Sequence, residues 1–132
     1  MLSLKKLIAK ILSLQTGTFT YATNFTDYNA NDPIQVTKSL HTVNIVGAFK
    51  NTANVEIPWG DGTVLVGTLQ EGFRPRTTVY AIHQGSGAAI WLMQIRVNGQ
   101  LYIGRYRTAW SSGTYSAGTN TWFPFNVSFI AA

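Results

Sequence analysis

Hydrophobic residues recur at two different spacings along this chain, and one spacing gives way to the other near residue 18. In the opening MLSLKKLIAKILSLQTGT they lie three and four positions apart, which is the spacing of one helical face. Leu4, Leu7, Ile11 and Leu14 fall at the a and d positions of two heptads, and Ser3 precedes them as a candidate N-cap. The pattern predicts a short amphipathic helix.

Alternation of apolar and polar residues replaces this helical spacing from Thr18 onward. In TFTYATNFT, alternate residues from Phe19 to Phe25 are expected on one face of a strand. Similar runs follow: IQVTKSLHTVNIVGAF for two strands, NTANVEIPWGDGTVLVGTL for two more around a GDG turn, then TTVYAIH, AAIWLMQIRV, QLYIG and TWFPFNVSFI. About eight short antiparallel strands at this spacing predict a sandwich or jelly roll.

The chain is therefore predicted to consist of a helix over residues 1–17 and one all-β domain over residues 18–132. Its 132 residues, 45% hydrophobic and 13% aromatic, suffice for a single packed core. Only 11% of the residues are charged, whereas about 25% are charged in a typical soluble domain. This low charge predicts that another subunit covers much of the surface, although β-rich extracellular domains share the trait.

The few charged residues exclude several classes of protein. Ten Lys and Arg against five Asp and Glu leave a net charge of +5, but the basic residues form no dense stripe. A nucleic-acid interface needs a basic patch interleaved with aromatic residues, so none is predicted. No apolar run reaches the ~18 residues that a membrane-spanning helix requires. The chain has no cysteine, which excludes disulfides and thiolate chemistry.

The opening helix has three possible environments. It is too short to be stable alone in water, so its apolar face must contact something. It could pack on its own domain, lie on a membrane surface with Lys5, Lys6 and Lys10 turned outward, or join copies of the chain in a small bundle. Ile8 and Leu12 widen the apolar stripe, which suits a three-stranded seam, or a seam packed on a domain, better than a dimer. Of these environments we favour the bundle. No membrane partner is therefore expected.

Two local motifs predict particular turns. Asn98-Gly99, between QIRV and QLYIG, is typical of a tight type I′ hairpin turn. In GFRP, Pro75 favours an extended conformation for Arg74. We interpret Arg74 as a structural hydrogen-bond donor to loop carbonyl groups rather than as a ligand contact.

The order of motifs in the second half resembles that of a known family. VGTLQEGFRPRTTVYAIH, IRVNGQLYIG, a loop and a closing WFPFNVSFIA follow one another as in the head domain of phage tail and baseplate receptor-binding (tail fibre) proteins. The resemblance covers residues 34–132, and GFRP with the closing strand is its most specific part. Ser39-Leu40 stands where that family often has a glycine at a turn.

The resemblance implies a homotrimer of jelly-roll-like heads that binds a saccharide of the host surface. The opening helix would then be a stem that sets the three-fold register through Leu4, Leu7, Ile11 and Leu14, and another virion protein would hold it. The protein would belong to the virion, at the tail tip, the baseplate or a head fibre. The alternative is a structural virion component, such as a head-fibre, decoration or baseplate adaptor protein, with no receptor role.

Catalytic and metal-binding residues are sparse. Of the five acidic residues, only Glu56 and Asp61 flank a turn in a way that could pair two carboxylates for glycoside hydrolysis. His41 and His83 have no acidic partner at metal-ligand spacing, and WGDG offers one carboxylate where calcium needs several oxygens. No enzymatic activity, metal or cofactor is predicted.

Residues suited to sugar binding are better represented. The loop TAWSSGTYSAGTN places aromatic rings among small polar residues, and Trp59 lies next to another loop tip. Aromatic faces can stack on the C–H face of a sugar ring while polar neighbours bind its hydroxyl groups. The residues expected at the ligand are Trp110, Tyr115, Arg107, Asn120, Trp59 and Asp61.

Some aromatic and basic residues have two interpretations. Trp110 could instead fill the end of the sandwich or a subunit interface. Arg105 and Arg107 are expected on one face of their strand, where they could bind phosphate or acidic groups of teichoic-type polymers or pair with acids of a neighbouring subunit. Trp91 and Trp122 lie within predicted strands and are expected in the core.

Overall fold

The described part of the chain contains one short helix and twelve strands. The computed structural model of the protein describes residues 3–108 and 116–132. The helix, α1, spans Leu4–Leu12. The strands in chain order are β1 Gln15–Gly17, β2 Phe19–Tyr21, β3 Phe25–Asp27, β4 Gln35–Ser39, β5 Thr42–Asn51, β6 Val55–Glu56, β7 Val64–Leu69, β8 Val79–Gln84, β9 Ile90–Ile95, β10 Gln100–Arg107, β11 Ser116–Ala117 and β12 Phe123–Ile130.

Most of these strands form two antiparallel sheets. Sheet A has the order β1-β4-β5-β12, and β3 also pairs with the long strand β5. Sheet B has the order β2-β7-β10-β9-β8, and β6 pairs with β11 in a small separate ribbon. The predicted all-β sandwich is confirmed. The strands beyond the predicted number are pieces of two or three residues, too short to produce a period in the sequence.

The core lies between sheets A and B and is rich in aromatic rings. Phe49 and Phe123 of sheet A stack with their ring centroids 5.0 Å apart. Trp91 of sheet B meets Phe123 edge-on at 5.1 Å. Alternate residues of β12 are buried from Phe123 to Phe129, as the period of two predicted. The same period in β5 buries Val43, Ile45 and Phe49.

The outer faces of the two sheets differ in chemistry. On sheet A, the Asn44 side chain donates hydrogen bonds to Asn126 Oδ1 at 2.8 Å and Ser128 Oγ at 2.9 Å, so polar side chains occupy much of this face, beside the exposed Val46 and Ile130. The outward positions of sheet B include the apolar residues Leu65, Tyr80, Ile82, Ile90, Leu92 and Tyr102. Ile82 is 75% exposed. A solvated antiparallel face is normally polar, so the outer face of sheet B has the composition of a contact surface.

The TFTYATNFT run forms two strands rather than the single strand predicted. Strand β2 pairs with β7 in sheet B, whereas β3 pairs with β5 in sheet A. The chain crosses between the sheets at a turn where Asn24 has a φ of 75°. The Tyr21 hydroxyl donates a hydrogen bond to Asp27 Oδ1 at 2.7 Å and ties the two strands together. The alternation of residues continues through this turn, so the sequence pattern indicated one strand where the structure has two.

Helix α1 begins as predicted and ends earlier than predicted. Ser3 is its N-cap, since Ser3 Oγ accepts a hydrogen bond from the Lys6 amide at 3.2 Å. Residues 15–17, assigned from the sequence to the helical segment, instead form β1 and pair with β4. Gly17 is therefore not a helix terminator. A Cβ at Gly17 would lie 2.8 Å from the Phe73 ring, so glycine here permits close packing of a strand.

The apolar face of α1 is not covered by the sandwich. Among the predicted stem residues, Leu4, Leu7 and Leu14 are exposed, and Ile8 beside them is exposed as well. The side chain of Ile11 lies outside the described part of the chain. One of the three possible environments was packing of this stripe on its own domain. That interpretation is wrong for Leu4, Leu7, Ile8 and Leu14, which are the side chains of the stripe that the structure describes.

The β9–β10 hairpin has a three-residue loop instead of the predicted type I′ turn. The Gly99 amide donates to Arg96 O at 2.8 Å, and the Arg96 amide donates to Gln100 O at 2.9 Å. Only Gly99 has a positive φ in this loop, at 85°, whereas a type I′ turn needs two such residues. The structural role of Arg74 is confirmed, because its Nε donates to Leu69 O at 3.0 Å beside this loop.

Candidate functional site

Three of the six predicted ligand residues meet on the surface of sheet B. The loop between β6 and β7 carries Trp59 and Asp61, and the end of β10 carries Arg105 and Arg107. The guanidinium carbons of Arg105 and Arg107 lie 5.5 Å and 5.6 Å from the centroid of the Trp59 ring. Arg105 Nη2 is 2.5 Å from Asp61 Oδ1. We call these four residues the Trp59 cluster.

A bulge in β10 brings the two arginines over the indole. The register against β9 shifts between Gly104 and Arg107, and Arg105 takes a φ of 52°. Tyr106 is buried between them, so both arginines point outward, as predicted from their spacing. A Cβ at Gly104 would collide with the carbonyl oxygen of Gly60, so only glycine lets the Trp59 loop approach this strand.

The charges in the Trp59 cluster are accessible to solvent. The Arg105 and Asp61 side chains are 44% and 51% exposed, so their ion pair adds little to stability and mainly orients the guanidinium. Trp59 is 54% exposed despite its size. A shallow cavity of about 60 Å³ is lined by Trp59, Ile82 and Leu92 together with both arginines. The arrangement offers an accessible aromatic ring with two cations beside it.

The remaining predicted ligand residues are divided between the undescribed loop and another surface. Trp110 and Tyr115 lie outside the described residues. Of the described residues that flank them in the chain, Thr108 lies in the depression described next, and Ser116 pairs with Glu56, three positions before Trp59. Asn120 lies elsewhere, in a depression of about 330 Å³ that also contains Thr108, Tyr28 and Trp122.

Asn51 is a structural residue that the sequence analysis missed. It is fully buried at the end of β5, where its Nδ2 donates to the carbonyl oxygens of Ala53, Ala117 and Gly118 at 3.0, 2.9 and 2.8 Å. Its Oδ1 accepts a hydrogen bond from the Thr121 amide at 2.9 Å. Asn51 thus holds the segment that carries Asn120. The only sequence signal was a polar residue at the inward end of an alternating strand.

Trp122 is not the core residue that the sequence predicted. It is 39% exposed, whereas Trp91 is buried as expected. Trp122 immediately precedes Phe123, so the alternation that buries Phe123 places Trp122 on the opposite, outward side. Its ring lies 6.5 Å from that of Tyr28, which is 44% exposed.

Comparison with protein-family models, curated proteins and solved structures returned no match to this chain. No group of three or more potential metal ligands occurs in residues 3–108 and 116–132. The same residues contain no helix of the length and apolar character that crossing a bilayer requires. The site must therefore be interpreted from its own geometry.

His83 lies on the inner face of β8 with its Nε2 buried and without a hydrogen-bond partner. Its ring contacts Trp91 and Phe125, with centroids 5.9 Å and 6.1 Å away. Burial lowers the pKa of His83 below its ordinary value of 6.5, since an apolar surrounding disfavours the charged imidazolium. The imidazole is therefore neutral at neutral pH.

Acidification should destabilise the protein through His83. Because the pKa of His83 is lower in the folded state, the unfolded chain binds more protons once the pH falls below about 6.5, and the free energy of unfolding falls with it. His83→Phe should flatten this dependence in urea denaturation measured across that pH range. His41→Gln, in an exposed turn, is the control and should retain the dependence. An unchanged slope in His83→Phe would contradict this assignment.

Proposed function

We propose that this protein is a non-enzymatic, saccharide-binding head of a phage virion that acts as a homotrimer. The observation that carries the proposal is the Trp59 cluster, in which an exposed indole stands beside the guanidinium groups of Arg105 and Arg107. An indole face can stack on the C–H face of a sugar. A guanidinium group can bind two oxygens of one phosphate or carboxylate at once. The proposed ligand is therefore an anionic saccharide of the host surface, such as a teichoic-type polymer.

The location of the Trp59 cluster supports a site at the edge of a subunit contact. Ile82 and Leu92, which line its cavity, also belong to the apolar outer face of sheet B. Arg107 belongs to the same cluster, and Ser116 pairs with Glu56, three positions before Trp59. In the trimer that we propose, the outer face of sheet B packs against the next jelly-roll-like head, and Trp110 and Tyr115 extend the ligand surface. One weak site in each subunit would gain affinity when three sites engage one cell wall.

Replacing Trp59 with alanine should weaken saccharide binding. Loss of a central aromatic contact is expected to reduce affinity by about tenfold or more. The measurement is binding to an array of phosphorylated and uronic-acid-containing bacterial glycans, with calorimetry on the best ligand. Ile130→Ala, an exposed isoleucine outside the cluster, is the control. Equal affinity of Trp59→Ala and the unmodified protein would remove the cluster as the site.

The solution mass should correspond to three chains of 14.5 kDa. Ile82→Asp should dissociate the trimer, because it places a charge in the apolar outer face of sheet B. Ile130→Asp places the same charge on the polar outer face of sheet A and should leave the mass unchanged. Light scattering measures both. A stable monomer of the unmodified protein at micromolar concentration would contradict the trimer.

A structural role in the virion is the second candidate function. The exposed apolar residues of α1, among them Leu4 and Leu7, favour it because another virion protein could cover them. In that case the outer face of sheet B and α1 would both be contact surfaces, and no glycan would bind at Trp59. The glycan array therefore separates the two functions.

A further inference from the structure

A second surface of the molecule has the features of a small-ligand site and shares no residue with the Trp59 cluster. It is a groove of about 590 Å³ across the outer positions of β5 and β12. Residues of the loop at 28–32, Trp122 and the end of β8 also line it. This volume falls within the roughly 300–1,000 Å³ typical of small-molecule sites.

Two neighbouring aromatic rings stand exposed at this groove. Tyr28 and Trp122 have their centroids 6.5 Å apart and their planes inclined by 54°. Each retains more than a third of its surface accessible, although aromatic side chains of this size are usually much more deeply buried. Two tilted rings side by side present an apolar surface about the width of a sugar ring, on which C–H groups can stack.

The polar groups of the groove are mostly neutral and several are already oriented. Asn126 Oδ1 accepts a hydrogen bond from Asn44, which leaves the Asn126 amide hydrogens for a ligand. Gln84 Nε2 donates to Gly87 O, which leaves the Gln84 carbonyl oxygen as an acceptor. Asn29 adds a further amide to the lining. Fixed donors and acceptors beside an aromatic surface match the alternating hydroxyl groups of a sugar.

The charge of the groove is opposite to that of the Trp59 cluster. Asp32 is the one charged residue among those that line the groove in the described part of the chain. His83 also lines the groove, and burial lowers the pKa of its imidazole and keeps it neutral. The Asp32 carboxylate repels phosphate and uronate groups but accepts hydrogen bonds from sugar hydroxyls.

We infer that the Tyr28–Trp122 groove binds a neutral hexopyranose or N-acetylhexosamine ring. The rings of Tyr28 and Trp122 stack on the sugar, Asp32 accepts hydrogen bonds from its hydroxyl groups, and Asn126 and Gln84 complete its polar contacts. This inference does not depend on the proposed function, because its residues and its charge differ from those of the Trp59 cluster. A polymer with both neutral and anionic units would engage the two surfaces together.

The test is an NMR titration of the full-length ¹⁵N-labelled protein with neutral sugars. The probes are methyl glucopyranoside, methyl galactopyranoside, rhamnose, N-acetylglucosamine and N-acetylgalactosamine. The chain has four tryptophans, so its indole N–H signals are few, and the Trp122 signal is the one that Trp122→Phe removes. At least one probe should shift the Trp122 signal with millimolar affinity and leave the Trp59 signal in place.

Variants decide whether the groove is responsible. Trp122→Ala should weaken binding by about tenfold or more, and Asp32→Asn, a surface change that preserves shape, by about fivefold. Trp59→Ala and Ile130→Ala should bind the probe as the unmodified protein does. The inference is overturned if no probe moves the Trp122 signal at tens of millimolar, if Asp32→Asn keeps full affinity, or if Trp59→Ala abolishes the shift.

Discussion

Replacing Gly99 with valine should lower the free energy of unfolding by about 2–4 kcal/mol. Gly99 has a φ of 85°, which a β-branched residue adopts only with strain. A Cβ at this position would also lie 2.6 Å from Arg74 Nε and 2.8 Å from Leu69 O. The substitution would therefore push apart the hydrogen bond between Arg74 and Leu69, as well as straining the turn. Urea denaturation measures the loss.

Gly72→Val is the matched control for this prediction. Gly72 also has a positive φ, at 94°, but a Cβ there would meet no atom within 4 Å. Gly72→Val should therefore show only the backbone strain, about 1–2 kcal/mol. The difference between the two variants in free energy of unfolding is the destabilisation that comes from crowding Arg74. Equal losses of free energy would show that the contacts around Gly99 relax without destabilising the fold.

Replacing Asn51 with leucine should lower the free energy of unfolding by about 3–5 kcal/mol. Leucine keeps the volume of the side chain but removes three hydrogen bonds to buried or part-buried carbonyl groups and one from the Thr121 amide. The carbonyl groups of Ala53 and Ala117 would lose this donor where water has little access, whereas Gly118 O would keep the hydrogen bond from the Thr121 hydroxyl at 2.6 Å. Denaturant unfolding measures the change, and faster hydrogen exchange at the Thr121 amide would locate it.

Asn44→Leu is the control for Asn51. Asn44 lies on the same strand and its Nδ2 also has three acceptors within reach, on Asn126, Val127 and Ser128. Its bonds lie on the outer face of sheet A, where water can replace them, so the loss should stay below about 1 kcal/mol. If both variants lost the same free energy of unfolding, burial would not be the reason why the Asn51 hydrogen bonds stabilise the protein.

The Asn51 prediction also bears on ligand binding. Asn51 fixes the segment that leads from β11 to Trp122, the residue proposed to stack on a neutral sugar. The two sites differ in how they are built: the Trp59 cluster depends on a bulge in β10, and the Tyr28–Trp122 groove depends on the anchored segment before β12. Destabilising the Asn51 contacts should therefore disturb the groove more than the Trp59 cluster.

Periodicity in the sequence was sufficient to predict the buried residues wherever a strand is long and has one buried face. The inward residues of β5 and β12 were predicted correctly, as were the Ser3 cap and the absence of any further helix in residues 18–108 and 116–132. These features depend on burial of one side of a single element, which leaves a period of two or about 3.6 in the residues themselves. The structural role of Arg74 was likewise inferable, because Pro75 restricts its backbone.

The sequence alone determined an all-β chain with a short amphipathic helix before it, because those features are local. Only the tertiary structure decided that TFTYATNFT crosses from one sheet to the other, that the Asn98-Gly99 hairpin has a three-residue loop, and that Trp122 stays exposed. It also brought Trp59 and Asp61 to Arg105 and Arg107, more than forty positions away in the chain. Such contacts depend on strand register and on a bulge, and neither leaves a period in the sequence.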